Sequence, residues 1–132
     1  MRAVAGLAIL MAGLPMACSK PRPPLVVTLK GESPDGSDVR HTIIAVRAGV
    51  RMVVLNMEVL TPADFVDYRA TLKRGAEMVT SEEHLKMGLN EVIRMDVDAE
   101  MLTPGEYSLV VEARDDMGKM YPFSTYNFRT IR

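Results

Sequence analysis

Leu102-Thr103-Pro104-Gly105-Glu106-Tyr107-Ser108-Leu109-Val110-Val111-Glu112-Ala113-Arg114 is the stretch that decides the class of fold. From Tyr107 onward its period is two. Tyr107, Leu109, Val111 and Ala113 form one apolar row, with Ser108, Glu112 and Arg114 between them. A β-strand sends successive side chains to opposite faces, so this spacing predicts a strand with one side in a core. Downstream, residues 115–118 (DDMG) carry hairpin-loop chemistry, and residues 121–131 return as an aromatic strand with Tyr126 and Phe128 facing inward. Upstream, Ile93, Met95 and Val97 alternate with Arg94, Asp96 and Asp98, and Tyr68, Ala70 and Leu72 alternate with Arg69, Thr71 and Lys73. Within residues 50–60, Val53, Leu55, Met57 and Val59 share a face while Asn56 and Glu58 point the other way. Residues 25–29 (LVVTL) and 40–46 add shorter runs, separated by a polar, turn-rich loop over residues 31–38. Residues 81–89 fit less well: Ser81-Glu82-Glu83 opens one helical turn that Gly88 closes, or the stretch is an irregular crossover containing a short strand.

Short strands spaced about 8–12 residues apart predict an antiparallel sandwich rather than a helical or α/β fold. A domain of this size buries roughly 65% of its unfolded surface, enough for a core without disulfides. The segment Leu102-Thr103-Pro104-Gly105-Glu106-Tyr107 also resembles the approach to the penultimate strand of many immunoglobulin-like and fibronectin type III-like bacterial domains. The resemblance implies that Pro104 and Gly105 turn the chain between sheets, that Leu102 plugs the end of the core, and that the Tyr107 hydroxyl bonds upstream backbone at the corner. The expected fold class is therefore all-β: a single antiparallel immunoglobulin-like sandwich of about seven strands, following a cleaved signal peptide. Such sandwiches host many activities, so the fold alone names no function.

Composition narrows the function. The chain has 132 residues, a formal net charge of −1, no Trp, 11 Met and one Cys. One domain fits that length. A single cysteine excludes an internal disulfide framework and a multi-cysteine metal site. The near-zero charge leaves no basic footprint for nucleic acid.

Charge is unevenly placed. Residues 1–24 hold Arg2, Lys20 and Arg22 and no acid, whereas residues 25–132 hold 13 basic and all 17 acidic residues, a net of −4. The uncharged stretch of residues 3–17 is 15 residues long, short of the ~20 that a membrane-crossing helix needs. One leading positive charge, a short apolar run and small residues at its end read as a secretory signal peptide. Leu14-Pro15-Met16-Ala17-Cys18 resembles the lipobox of bacterial lipoproteins, with Ala17 and Cys18 in the matching positions and Leu14 one place early. The resemblance implies cleavage between Ala17 and Cys18 and lipid attachment at Cys18, through a diacylglyceride and an amide-linked acyl chain. By resemblance to lipoprotein sorting, Ser19 directs the product to the outer membrane, facing the periplasm. The expected organisation is residues 1–17 as signal peptide, 18–24 (with SKPRPP after Cys18) as lipidated cysteine and extended Pro-rich tether, and 25–132 as the sandwich domain.

No catalytic residues are expected. His41 and His84 are the only histidines, no Gly-x-Ser-x-Gly turn exists, and Cys18 is assigned to the lipid. Met117 and Met120 place two thioethers in a hairpin, a pattern soft enough for Cu(I), but methionine more often fills gaps in cores. Asp35-Gly36-Ser37-Asp38 looks like part of a calcium loop without its bidentate Glu; turn chemistry accounts for it equally well. Asp96, Asp98 and Glu100 form an outward acidic stripe, read as a solvated face or as a docking face for a basic partner. The expectation is a non-enzymatic, lipid-anchored envelope protein that binds no cofactor or metal. Its contacts are the membrane, through the anchor, and a protein or envelope polymer. The rivals are a periplasmic copper-handling protein using Met and His and a small carbohydrate-binding module, the latter weakened by the lack of Trp.

Overall fold

The computed structural model describes residues 22–30, 42–59 and 64–132. Among the described residues, eight strands follow one another: β1 Leu25–Lys30, β2 Thr42–Ala45, β3 Met52–Glu58, β4 Asp67–Arg74, β5 Glu77–Leu85, β6 Val92–Asp98, β7 Gly105–Arg114 and β8 Met120–Ile131. Among the described residues the only helical element is a 3₁₀ turn, Ala99–Met101, between β6 and β7. The strands form a three-stranded sheet of order β1-β3-β6 and a five-stranded sheet of order β2-β8-β7-β4-β5.

One apolar cluster lies between the sheets and draws on both. Val53, Leu55 and Met57 of β3 and Ile93, Met95 and Val97 of β6 meet Tyr68, Ala70 and Leu72 of β4, Tyr107, Leu109, Val111 and Ala113 of β7, and Tyr126 and Phe128 of β8. Each was placed inward by alternation, and each is buried. The molecule is an all-β sandwich.

Two of the strand pairs are parallel, which alternation could not reveal. β1 runs parallel to β3, with Leu25 opposite Val53, and β2 runs parallel to β8, with Thr42 opposite Phe128. Parallel neighbours need a crossover, and here the other sheet supplies it: the chain leaves β1, contributes β2 to the five-stranded sheet, and returns as β3. Residues 81–85 resolve into the end of β5 rather than a helical turn. β5 is an edge strand and therefore mostly exposed. Its regular pattern is interrupted by two register shifts against β4. Met87 then bridges Ile93, carrying the chain across to the three-stranded sheet.

The Leu102–Tyr107 corner behaves as its resemblance implied. β6 belongs to one sheet and β7 to the other, so the intervening Pro104 and Gly105 do turn the chain between them. Leu102 is fully buried. The Tyr107 hydroxyl donates to the Thr103 carbonyl at 2.8 Å, and its ring stacks on Phe128 with centroids 5.4 Å apart. Arg74, at the end of β4, donates to the Thr103 hydroxyl and, at 2.8 Å, to the Pro104 carbonyl. Gly105 has φ +152°, and a Cβ there would lie 2.9 Å from an Arg74 guanidinium nitrogen. Glycine is what allows the clamp to close.

Candidate functional site

Two groups of charged side chains stand out, and the strands explain both. The first lies on the outer face of the five-stranded sheet. The β4–β7 register sets Asp67 opposite Arg114 and Arg69 opposite Glu112. Asp67 is buried. One of its oxygens accepts from Arg114 Nε at 2.8 Å, and the other is 2.9 Å from His84 Nδ1. Arg114 also donates to Glu83 at 2.8 Å. Glu83 in turn stands 3.6 Å from Arg69, which holds Glu112 at 2.7 Å. Hydrogen bonds from His84 and then Arg114 draw the Asp67 pKa below its ordinary value, against the opposing effect of burial. The Arg114 and Arg69 values rise correspondingly, each chiefly through its hydrogen bond to a carboxylate.

His84 occupies the left-handed region at φ +59°, uncommon for a residue with a Cβ. Its ring is mostly exposed, and Asp67 is its hydrogen-bond partner among the described residues. A carboxylate orienting an imidazole is half of a nucleophile-activating arrangement, but no serine hydroxyl hydrogen-bonds His84 among the described residues. Nor does any group of three or more His, Cys, Asp or Glu side chains there come together to hold a metal ion. The arrangement can tie β4, β5 and β7 together. Sequence reading had assigned His84 without its partners. Arg114 reads as an outward position from alternation; its pairing with Asp67 depends on register.

The second group lies at the opposite end of the strands, where the chain joins the sandwich. The Arg22 amide donates to the Gly49 carbonyl at 3.0 Å, and Arg22 bridges Val50 in parallel fashion. Strand pairing thus reaches back into the segment expected to serve as tether. Arg22, Pro23, Pro24, Leu25, Ala45, Arg47 and Val50 line an open groove of about 250 Å³. Arg22, Arg47 and Arg51 are exposed. None of their guanidinium groups has a hydrogen-bond or ion-pair partner among the described residues. The backbone holds this turn: Val50 N–H bonds the Arg47 carbonyl, and the Arg51 carbonyl accepts from Ala99 N–H.

Asp96, Asp98 and Glu100 are all exposed, as expected of the acidic stripe. Asp96 is engaged by Arg94 through two hydrogen bonds of 2.9 and 3.2 Å, so the stripe is not uniformly negative. Met117 is exposed at the hairpin tip, and Met120 is half-buried at the start of β8. Met57 and Met95 are core residues. Ala17, Cys18, His41 and the Asp35–Asp38 turn (residues 35–38) lie outside the described residues. No helix among the described residues is long and apolar enough to cross a membrane.

No protein-family model and no curated protein matches the chain. Among solved structures, it is similar to the N-terminal domain of phage TP901-1 ORF48, with a TM-score of 0.54 at 14% identity. The match covers 83% of this chain and 98% of that one. It shows a shared fold and no shared chemistry.

Proposed function

We propose that this is a non-enzymatic protein anchored through an acylated Cys18 to the outer membrane, facing the periplasm, where its sandwich serves as an interaction module. The observation that carries the reading is positional. The only cysteine closes an uncharged stretch bounded by Arg2, and four residues later Arg22 is already paired with the edge of the sandwich. At ~3.3–3.6 Å per residue, those four residues reach no further than ~14 Å. Two or more acyl chains give stable attachment where one gives only marginal binding. The mostly exposed edge of β5 and the loops are the surfaces offered to a protein or envelope polymer. An interaction role is favoured over catalysis because no nucleophile is hydrogen-bonded to the His84–Asp67 pair among the described residues.

Mass spectrometry of the mature amino terminus tests the anchor. The expected species begins at Cys18 and carries acyl chains, and fatty-acid labelling is lost in Cys18→Ala. Unmodified protein recovered free in the periplasm would reject it. For the interaction half, cross-linked envelopes are probed with the parent and with Asp98→Lys/Glu100→Lys. A partner captured by the parent and lost by an equally stable variant supports docking through the acidic stripe, and equal capture by both removes that face.

A further inference from the structure

We infer that Arg22, Arg47 and Arg51 form a contact surface for anionic phospholipid headgroups; the inference rests on the anchor reading above and assigns the face that the anchor turns toward the bilayer. Three observations converge. Arg22 and Arg47 line the same groove. Arg51 follows within the same turn, whose backbone is bonded to Arg22 through Gly49 and to Ala99 through Arg51. All three side chains are exposed and lack a counter-charge among the described residues. By contrast, Arg69, Arg94 and Arg114 each hold a carboxylate. Asp98 and Glu100 lie at the same end on the β6 side, outside ion-pair distance of these arginines. Gly49, at φ +93°, brings Arg22 close: a Cβ there would lie 3.3 Å from Arg22 Cγ.

Distance selects the partner. With its acyl chains in the hydrocarbon, Cys18 sits near the headgroup boundary, and one headgroup layer is about 5–7 Å thick. Even a fully stretched chain puts Arg22 within about 14 Å of Cys18. That is within about 7–9 Å of the headgroup surface, comparable with the ~8 Å Debye length at physiological salt. Headgroup phosphates then fall inside the range where exposed guanidinium groups attract them. Arg suits this task because its planar fork of donors can bind two phosphate oxygens at once.

The test uses the full chain carrying Cys18→Ala, which cannot be acylated, so the outcome does not depend on lipidation. Its partitioning is measured on vesicles of phosphatidylcholine alone and of phosphatidylcholine mixed with phosphatidylglycerol. The phosphatidylcholine arm reports what the apolar leader contributes; the gain on adding phosphatidylglycerol reports the charges. Each arginine near an anionic surface adds roughly fivefold. R22Q/R47Q/R51Q should therefore lose at least about tenfold of that gain, R22K/R47K/R51K should keep most of it, and high salt should suppress it. A gain that persists in the triple glutamine variant would belong to Arg2 and Lys20 and overturns the inference, as does the absence of any gain in the parent. Failure of the anchor reading appears elsewhere, as missing acylation of Cys18 in the unaltered protein.

Discussion

Six arginines divide this molecule into two regions with opposite electrostatic habits. Arg69, Arg74 and Arg114 start from strands β4 and β7, and each is engaged by a carboxylate or a carbonyl oxygen. Arg22, Arg47 and Arg51 start from the turn between β2 and β3 and the edge beside it, and each is left to solvent among the described residues. Local architecture makes the difference. On β4 and β7, register sets Arg69 and Arg114 each beside a cross-strand carboxylate, and Arg74, at the end of β4, reaches the Thr103 hydroxyl and the Pro104 carbonyl. In the turn, backbone hydrogen bonds do the holding, so the side chains have no structural duty. A formal net charge of −1 hides this partition, because the sum cannot distinguish charges that close on each other from charges that face outward.

The sharpest way to break the comparison is to undo what an engaged arginine holds. Arg74 secures the corner that carries Leu102 into the core. Leu102→Ala should cost about 2–5 kcal/mol through lost burial and the cavity left behind, read as a fall in the midpoint of denaturant unfolding. A loss below about 1 kcal/mol would mean that the corner collapses onto the gap, and the clamp would lose its purpose.

The next effect is expected from Asp67. Its folded pKa lies below the ordinary 3.8 because His84 and Arg114 donate to it. A group depressed on folding contributes stability that is complete above its unfolded pKa and is lost as pH falls through the folded one. Thermal unfolding of the parent should therefore weaken steeply below pH 3.8, whereas Asp67→Asn should start less stable at neutral pH and show a flatter acid limb. Asp115, lowered chiefly by the Lys119 amide, keeps its own contribution in both proteins. Superimposable pH profiles would show that the network carries no linkage.

Period-two alternation was enough to find the core, because a half-buried strand must alternate: Tyr68, Ala70 and Leu72 and Ile93, Met95 and Val97 read inward from spacing alone and are buried. The corner was legible through its resemblance to the approach to the penultimate strand of immunoglobulin-like and fibronectin type III-like domains, and Leu102 and Tyr107 take the places that resemblance implies. Strand neighbours were not legible. Nothing within LVVTL says that β1 lies parallel to β3, or that β2 lies parallel to β8. β5 escaped a clear reading because an edge strand with two register shifts buries too little to enforce alternation. The charged groups were invisible for the same reason as the pairing: Asp67 and Arg114 are 47 residues apart. What marks Arg22, Arg47 and Arg51 is that three exposed arginines without partners among the described residues gather at one turn, which only three dimensions reveal.

A smaller effect is expected where an engaged oxygen keeps a second donor. Tyr107→Phe removes the hydroxyl that bonds the Thr103 carbonyl, but the Thr130 hydroxyl still donates to that carbonyl at 2.6 Å. The loss should stay near 1 kcal/mol, the net worth of an ordinary hydrogen bond, rather than the larger penalty of a buried acceptor left bare. A double variant, Tyr107→Phe/Thr130→Val, should exceed the sum of its parts if the two donors back each other up.

The smallest effect on stability is expected from the outward arginines, and its sign is informative. Three like charges gathered around one turn repel each other, weakly because they are solvated. Their neutralisation in R22Q/R47Q/R51Q should therefore leave the unfolding temperature unchanged or raise it slightly, with each position contributing ~0.5 kcal/mol or less. Any rise should shrink as salt is added, since screening already suppresses the repulsion in the parent. Arg114→Gln should behave in the opposite way, lowering the unfolding temperature because Asp67 would keep only His84 as a side-chain donor. If the triple variant instead unfolds well below the parent, the turn depends on its arginines, and the two regions cease to differ in kind. If stability holds while phosphatidylglycerol binding is lost, charge at that end is retained for a surface outside the protein.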